Sequence, residues 1–276
     1  MFRTVLVSLA LAWTLAAQAG APPLRSSHVV VVDEATGAVL LDKNGDAVAP
    51  IASLTKLVTA MVVLDARQDM QEPLRITAAD LDTVKYTRLG VRPGSVVTRS
   101  GLLELALIAS DNRAAMALAR HHPGGMEAFV AAVQRKIAAL GLQHTVIVEP
   151  TGLSPDNRAS ALDMVKILRA AADYPEIAEI TRKREHQLLV NGRKRIVHNT
   201  NRLVGRPGWE ILLSKTGFTN EAGRCLAMRL QAAGRSVAVV MMGAVGNAQR
   251  TRDALKIRRW LASQRAPLRA EAASVQ

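Results

Sequence analysis

Strand-like runs stand at both ends of this sequence, and helical patterning fills the space between them. His28–Asp33 (H-V-V-V-V-D) and Ala38–Asp42 read as two strands joined around Glu34-Ala35-Thr36-Gly37, a hairpin turn. Much later, His186–Val190 and Arg195–His198 flank Asn191-Gly192, a strong hairpin signal. Trp209–Thr219, Arg224–Leu230 and Arg235–Met242 follow at hairpin-like spacing. Sequential hairpins imply antiparallel pairing. The simplest solution is an α+β fold in which the N- and C-terminal strands share one antiparallel sheet, flanked by helices. A mostly helical region is inserted, and the two parts meet in a cleft. The predicted division is a sheet part, 27–50 and 185–262, and a helical part, 51–184, within one domain spanning 27–262.

The inserted region reads as a series of short helices. Leu102–Ile108 ends at Ser110-Asp111-Asn112, residue types that favour turns and caps. Arg113–His121 resumes, and Met126–Leu140 is stopped by Gly141. After Thr145–Val148 comes a turn-rich loop, Glu149-Pro150-Thr151-Gly152-Leu153-Ser154, and Ala161–Ala172 is helical again. Arg250–Ala262 is a closing amphipathic helix. Its basic side carries Arg250, Arg252, Lys256, Arg258 and Arg259, and Ala254, Ile257 and Leu261 line the other. Such a face allows weak contact with a membrane surface; packing of Ile257, Trp260 and Leu261 onto the sheet is the favoured role. Residues 263–276 are expected to be a loose tail. At the other end, residues 1–19 have the form of a cleavable signal peptide. Arg3 leads, Val5–Leu15 is apolar, and Ala17-Gln18-Ala19 fits the small-x-small cleavage rule. The expectation is an exported, periplasmic protein.

Composition removes several function classes. Hydrophobic residues make up 49% of the chain, enough for a sizeable core. Aromatics are only 3%, which argues against a base-stacking surface. The net charge of +13 suits a polyanion, but the arginines are scattered and no nucleic-acid motif accompanies them, so no nucleic-acid partner is expected. Cys225 is the single cysteine, so no intramolecular disulfide can form, and in a strand it reads as a small core residue. None of the six histidines sits in a metal-binding spacing; no metal and no cofactor are expected.

The chemistry starts at Ala52–Ala66. After Ser53 this stretch reads as a helix with almost no polar face, hence buried. Yet Ser53 and Lys56 lie three apart, on one face. A buried ammonium is costly without a partner, and the chemical reason for one here is that Lys56 takes the proton of Ser53. Against this stands a plain Ser cap followed by a snorkelling lysine. Serine needs an adjacent base to be a nucleophile, and Lys56 can serve if burial and nearby positive charge, from Lys215, lower its pKa. Ser110 could relay a proton to the leaving amine, and Asn112 offers an amide to a substrate peptide bond. On the Lys215-Thr216-Gly217 strand, Lys215, Gly217 and Thr219 point one way, and the glycine would let a substrate backbone pair along the strand. Thr216 and Thr219 are candidate donors to a substrate carboxylate. Backbone N–H groups at Ser53 and near Phe218 could form an oxyanion hole.

Ser53-Leu54-Thr55-Lys56, Ser110-Asp111-Asn112 and Lys215-Thr216-Gly217 occur once each, in that order. The trio S-x-x-K, S-D-N and K-T-G is an established signature of class A β-lactamases and penicillin-binding proteins. The flanks are specific too: A-S-L-T-K-L-V-T-A-M-V-V-L-D at 52–65, E-P-T-G-L-S at 149–154, H-N-T-N-R-L at 198–203 and L-S-K-T-G-F-T-N-E-A-G-R-C-L at 213–226. From about residue 27 to 262 the chain resembles the low-molecular-mass penicillin-binding proteins, the serine D-alanyl-D-alanine peptidases. It is most similar to their endopeptidase branch, the penicillin-binding protein 7/8 type. The resemblance implies the β-lactamase/D,D-peptidase fold and a Ser53 acyl-enzyme formed on D-alanyl bonds of cross-linked peptidoglycan peptides. It implies Lys56 as general base and Ser110 with Asn112 as the second active-site element. Lys215, Thr216 and Thr219 would bind the substrate's carboxylate region, and the backbone of Phe218 would complete the oxyanion hole. β-Lactam antibiotics would be covalent inhibitors.

Three alternatives are weighed against that reading. A β-lactamase needs a second base, and E-P-T-G-L-S lacks the asparagine of the E-x-x-L-N pattern; Glu149 is left as a loop residue with no assigned role. A non-catalytic wall-binding protein would not need Ser53, Lys56, Ser110 and Lys215 together. Among peptidases, the longer carboxypeptidases add a C-terminal β domain and membrane helix, whereas this sequence ends 34 residues after Met242. That length favours cleavage of the D-alanyl–diaminopimelate cross-link over carboxypeptidase action.

Overall fold

The computed structural model describes residues 20–83 and 91–264. The expected signal peptide and the tail beyond Gln264 lie outside them. The elements run β1 (His28–Asp33), β2 (Val39–Lys43), β3 (Ala49–Pro50) and a 3-10 turn, Ala52–Thr55, leading directly into α1 (Lys56–Asp65). Then come β4 (Pro73–Arg75), β5 (Val96–Thr98), α2 (Arg99–Ile108), α3 (Asn112–Arg120) and α4 (Gly125–Ala139). The second half holds β6 (Thr145–Val146), β7 (Arg158–Ala159), α5 (Ala161–Ala171), α6 (Pro175–Thr181), β8 (Glu185–Val190) and β9 (Arg193–His198). Last are β10 (Glu210–Thr219), β11 (Gly223–Ala232), β12 (Arg235–Ala244) and α7 (Asn247–Ser263).

The central sheet has the order β10-β11-β12-β1-β2, all antiparallel. The first strand of the chain therefore pairs with the last, His28 opposite Met242 and Val31 opposite Val239. The run V-V-V-V in β1 shows no polar alternation because both faces are covered. Val30 and Val32, with Ala227, Val240 and Met242, belong to the large core shared with α1, α2, α3 and α5. Val29 and Val31, with Met228, Val239 and Met241, pack under α7 against Ala254, Ile257 and Leu261. Packing onto the sheet is thus the role of the closing helix. The basic side read from its sequence is corrected at one position: Arg250 is 8% exposed and turned inward, donating from Nη1 to the Cys225 carbonyl at 3.2 Å. Ser263 ends this helix rather than beginning a tail.

The 185–198 hairpin does not extend the central sheet as expected. Its strands β8 and β9 form a separate two-stranded ribbon, in perfect hairpin register from Glu185–His198 to Val190–Arg193, beside β5 and α2. Alternation and an Asn-Gly turn specify the hairpin, but not its neighbour. Two further elements escape sequence patterning. The β4–β5 pairing is only three residues long, and α6 is a two-turn helix opened by Pro175 at a favoured first position. Among the described residues, no helix is long and apolar enough to cross a membrane.

Candidate active site

Ser53 sits in the 3-10 turn, not in the α-helix itself, which starts at Lys56. The turn is forced by its surroundings. Ala52 adopts φ +48°, a left-handed conformation unusual for a residue with a Cβ. The Ile51 N–H donates to the Asn157 carbonyl, the Thr55 hydroxyl to the Ala52 carbonyl, and the Thr59 hydroxyl to the Pro150 carbonyl. Two glycines let backbone close in from both sides. A Cβ at Gly152 (φ +83°) would lie 1.9 Å from the Ala52 carbonyl oxygen, and one at Gly217 3.1 Å from the Ser53 nitrogen. Gly217 is therefore required by the approach of β10 to the serine turn, a reason additional to room for a substrate strand.

Lys56 is 1% exposed. Its Nζ lies 2.9 Å from Ser53 Oγ, 2.8 Å from Asn112 Oδ1 and 2.7 Å from the Thr151 carbonyl oxygen. The last two atoms can only accept. A neutral amine would donate its two hydrogens to them and turn its lone pair to Ser53. Burial is the main cause that lowers its pKa to about 8, opposed by the carboxylates of Glu149, Asp111 and Asp82. Of the two expected causes, burial and the charge of Lys215, only burial is found among the causes acting on Lys56. Lys215 is itself held well below its ordinary value, first by burial and then by Lys56 and Arg250.

Ser110 has φ +59° and follows α2, while Asp111 caps α3 by accepting from the N–H groups of Arg113 and Ala114. This sharp turn presents Ser110 Oγ to Lys215 Nζ at 2.8 Å and Asn112 to Lys56. Since Ser110 accepts from Lys215, its own hydrogen is free to donate elsewhere. Lys215 Nζ also donates to the Thr216 carbonyl at 3.0 Å. Every predicted side chain comes together: Ser53, Ser110, Asn112, Thr216, Gly217, Phe218 and Thr219 line one cleft of about 670 Å³, with Lys56 and Lys215 buried beneath it. The Thr216 hydroxyl donates to Thr200 Oγ1 at 2.6 Å, and the Thr219 hydroxyl accepts from the Ala222 N–H at 3.1 Å. The Phe218 ring is 45% exposed and stacks on the Arg224 guanidinium, 3.4 Å from its centroid.

Sequence reasoning missed several contributors. Glu149 has a definite place: Oε2 accepts from the Thr151 N–H and hydroxyl, and Oε1 from the Gly152 N–H, the Ser154 N–H and Asn157 Nδ2. It folds the loop that carries the Thr151 carbonyl to Lys56 and Gly152 to Ala52. An acidic residue ahead of Pro-Thr-Gly could have signalled such a self-capping loop. Arg202, Arg224 and Arg250 also line the cleft and make it cationic; their scatter in sequence hid this. Cys225 is fully buried, with its thiol pushed up to about 11 by burial, as a core residue would be. Among the described residues no group of side chains could hold a metal ion.

Known proteins are similar to this chain in sequence and in fold. A family profile described as D-alanyl-D-alanine carboxypeptidase, peptidase family S11, matches residues 15–246. The D-alanyl-D-alanine endopeptidase of Escherichia coli is 41% identical over 274 residues, covering 94% of this chain and 88% of that protein. The endopeptidase of Pseudomonas aeruginosa is likewise 41% identical, covering 94% and 86%. Among solved structures, a D-alanyl-D-alanine carboxypeptidase of Mycobacterium tuberculosis superposes with a TM-score of 0.79 at 29% identity, covering 89% of this chain and 94% of that one. The fold is also that of a Streptomyces DD-transpeptidase, with a TM-score of 0.81 at 23% identity, covering 88% and 99%.

Proposed function

Since the chain belongs to the D-alanyl-D-alanine carboxypeptidase family of serine peptidases and is a peptidoglycan D,D-peptidase, we propose that it is an exported endopeptidase of the D-alanyl–diaminopimelate cross-link, with Ser53 as its nucleophile. The endopeptidase preference rests on its relatives: the two at 41% identity are endopeptidases, while carboxypeptidases match at 28–32%. The observation that carries the assignment of Ser53 is the Lys56 amine, held by two carbonyl oxygens with its third direction on Ser53 Oγ.

In the proposed reaction Ser53 Oγ attacks the D-alanyl carbonyl carbon and its proton passes to Lys56 Nζ. The developing oxyanion is stabilised by the N–H groups of Ser53 and Phe218. As the C–N bond breaks, Ser110 gives its proton to the leaving amine and is recharged from Lys215. The proton held on Lys56 returns to Lys215, leaving Lys56 neutral; water then attacks the ester, Lys56 takes a proton from it and passes that proton to Ser53 Oγ as the acyl C–O bond breaks. Asn112 both orients Lys56 and offers its amide nitrogen to the substrate. Lys215, Thr216, Thr219 and Arg250 supply the positive and hydrogen-bonding ground for a substrate carboxylate. β-Lactams would acylate the same serine. Glu149, already accepting from five donors, has no lone pair turned to a hydrolytic water, which supports a slow-deacylating peptidase over a β-lactamase. Export and a periplasmic location follow from the wall substrate and the signal-like leader, and the positive charge of the chain suits an anionic polymer.

Digestion of purified cross-linked muropeptides, with chromatography of the products, tests this reading. Loss of dimers without free D-alanine is expected; free D-alanine from pentapeptide monomers would make the protein a carboxypeptidase. Mass spectrometry after penicillin treatment should find one adduct, on Ser53, absent from Ser53→Ala. An adduct elsewhere would remove the nucleophile assignment.

A further inference from the structure

A second cavity, of about 550 Å³, adjoins the catalytic cleft and shares His198, Asn199 and Arg202 with it. Arg184 and Arg206 form the rest of its charged lining. No carboxylate lines it, and among the described residues the guanidinium groups of Arg184, Arg202 and Arg206 form no ion pair. The Arg184 stem is laid along Gly205, where even a Cβ would come within 3.3 Å of it. Asn201, 2% exposed and also in the lining, uses Oδ1 to accept from the Leu203 N–H, while its buried Nδ2 has no partner.

We propose that this annex is an anion subsite that binds a free carboxylate of the cross-linked peptide, away from the bond being cut. The inference rests on the peptidoglycan-peptidase reading above. Such peptides carry free carboxylates along both stems, and a cavity sharing a wall with the cleft lies within reach of the same molecule. Guanidinium groups match carboxylates by paired N–H donation. The annex would thus select acidic stems over amidated ones, a distinction that the reaction at Ser53 does not itself require.

The test separates the annex from the chemistry by using Ser53→Ala protein, which retains binding without turnover. Titration calorimetry compares a cross-linked muropeptide dimer with the same dimer amidated at its free carboxylates. Two exposed arginine–carboxylate contacts should favour the acidic dimer by about three- to tenfold. Adding Arg184→Gln and Arg206→Gln should erase that preference while leaving affinity for the amidated dimer in place. Equal binding of both dimers by Ser53→Ala, or an equal loss for both in the triple variant, would overturn the proposal. Failure of the unaltered protein to cleave any dimer would count against the endopeptidase reading instead, since the binding ratio is read without cleavage.

Discussion

Replacing Gly152 by alanine should disable the enzyme from a residue that does no chemistry. The new Cβ would lie 1.9 Å from the Ala52 carbonyl oxygen and 2.8 Å from the Ser53 nitrogen, both backbone atoms that cannot rotate away. Reaching even the shortest tolerated contact, 3.0 Å, requires a separation of about 1 Å between the 149–154 loop and the serine turn, in the range where overpacking costs about 1–3 kcal/mol. The left-handed φ of +83° adds about 1–2 kcal/mol for a residue with a Cβ. Together these predict a fall in Tm on the order of 10 °C. A misplacement of about 1 Å at a reacting group costs on the order of a hundredfold in rate, and here the loop carries the Lys56 acceptor while the turn carries Ser53. Acylation by a fluorescent penicillin, followed by gel or stopped flow beside a thermal melt, reads both effects. Gly217→Ala is the graded control: its Cβ contacts begin at 3.0 Å and its φ is ordinary, so it should lose less stability than Gly152→Ala. A Gly152→Ala protein with parental Tm and acylation rate would refute the claim that this glycine is what seats the nucleophile.

Other expectations follow from the same geometry. Lys56 must be neutral to accept a proton, and its pKa is lowered to about 8. The acylation rate should therefore climb about tenfold per pH unit below 8 and level off above it; a flat profile from pH 6 to 9 would remove Lys56 as the base. Glu149→Gln replaces a five-donor acceptor by an amide with one acceptor oxygen, orphaning buried N–H groups at about 1–3 kcal/mol each. It should lower Tm and acylation together and, by removing a charge that raises the Lys56 pKa, move the pH midpoint downward. Normal acylation with a trapped acyl-enzyme would instead make Glu149 a deacylation base. Cys225, buried and with its thiol near 11, should resist iodoacetamide until the protein unfolds; labelling in native buffer, read by mass, would contradict that.

The sheet was largely legible because its strands carry unbroken β-branched runs, as in His28–Asp33, and because hairpin turns announce sequential pairing. What the runs do not encode is the neighbour of each hairpin: 185–198 carries the same kind of hairpin signal as the central strands yet pairs only with itself. The convergence of Ser53, Lys56, Ser110 and Lys215 is an expectation carried by the ordered trio of motifs and the family they resemble; spacing alone leaves Ser53 and Lys56 readable as a cap and a snorkelling lysine. What that expectation lacks is the cover over Lys56: it comes from the 149–157 loop, a contact between residues about a hundred positions apart. Arg250, grouped with the basic side by its charge, falls at helical spacing on the face of Ala254, Ile257 and Leu261, which is the face that turns inward.

The pairing of β1 with β12 has a consequence for when this protein becomes dangerous to the wall it cuts. The serine arrives early in synthesis, but the strand bearing Lys215 and the one that clasps β1 come from the far side of an intervening stretch of well over a hundred residues. Closing so long a loop is a late and slow event. A half-made polypeptide therefore holds Ser53 without Lys215, and under the proposed mechanism hydrolytic power appears only once the two extremities have met.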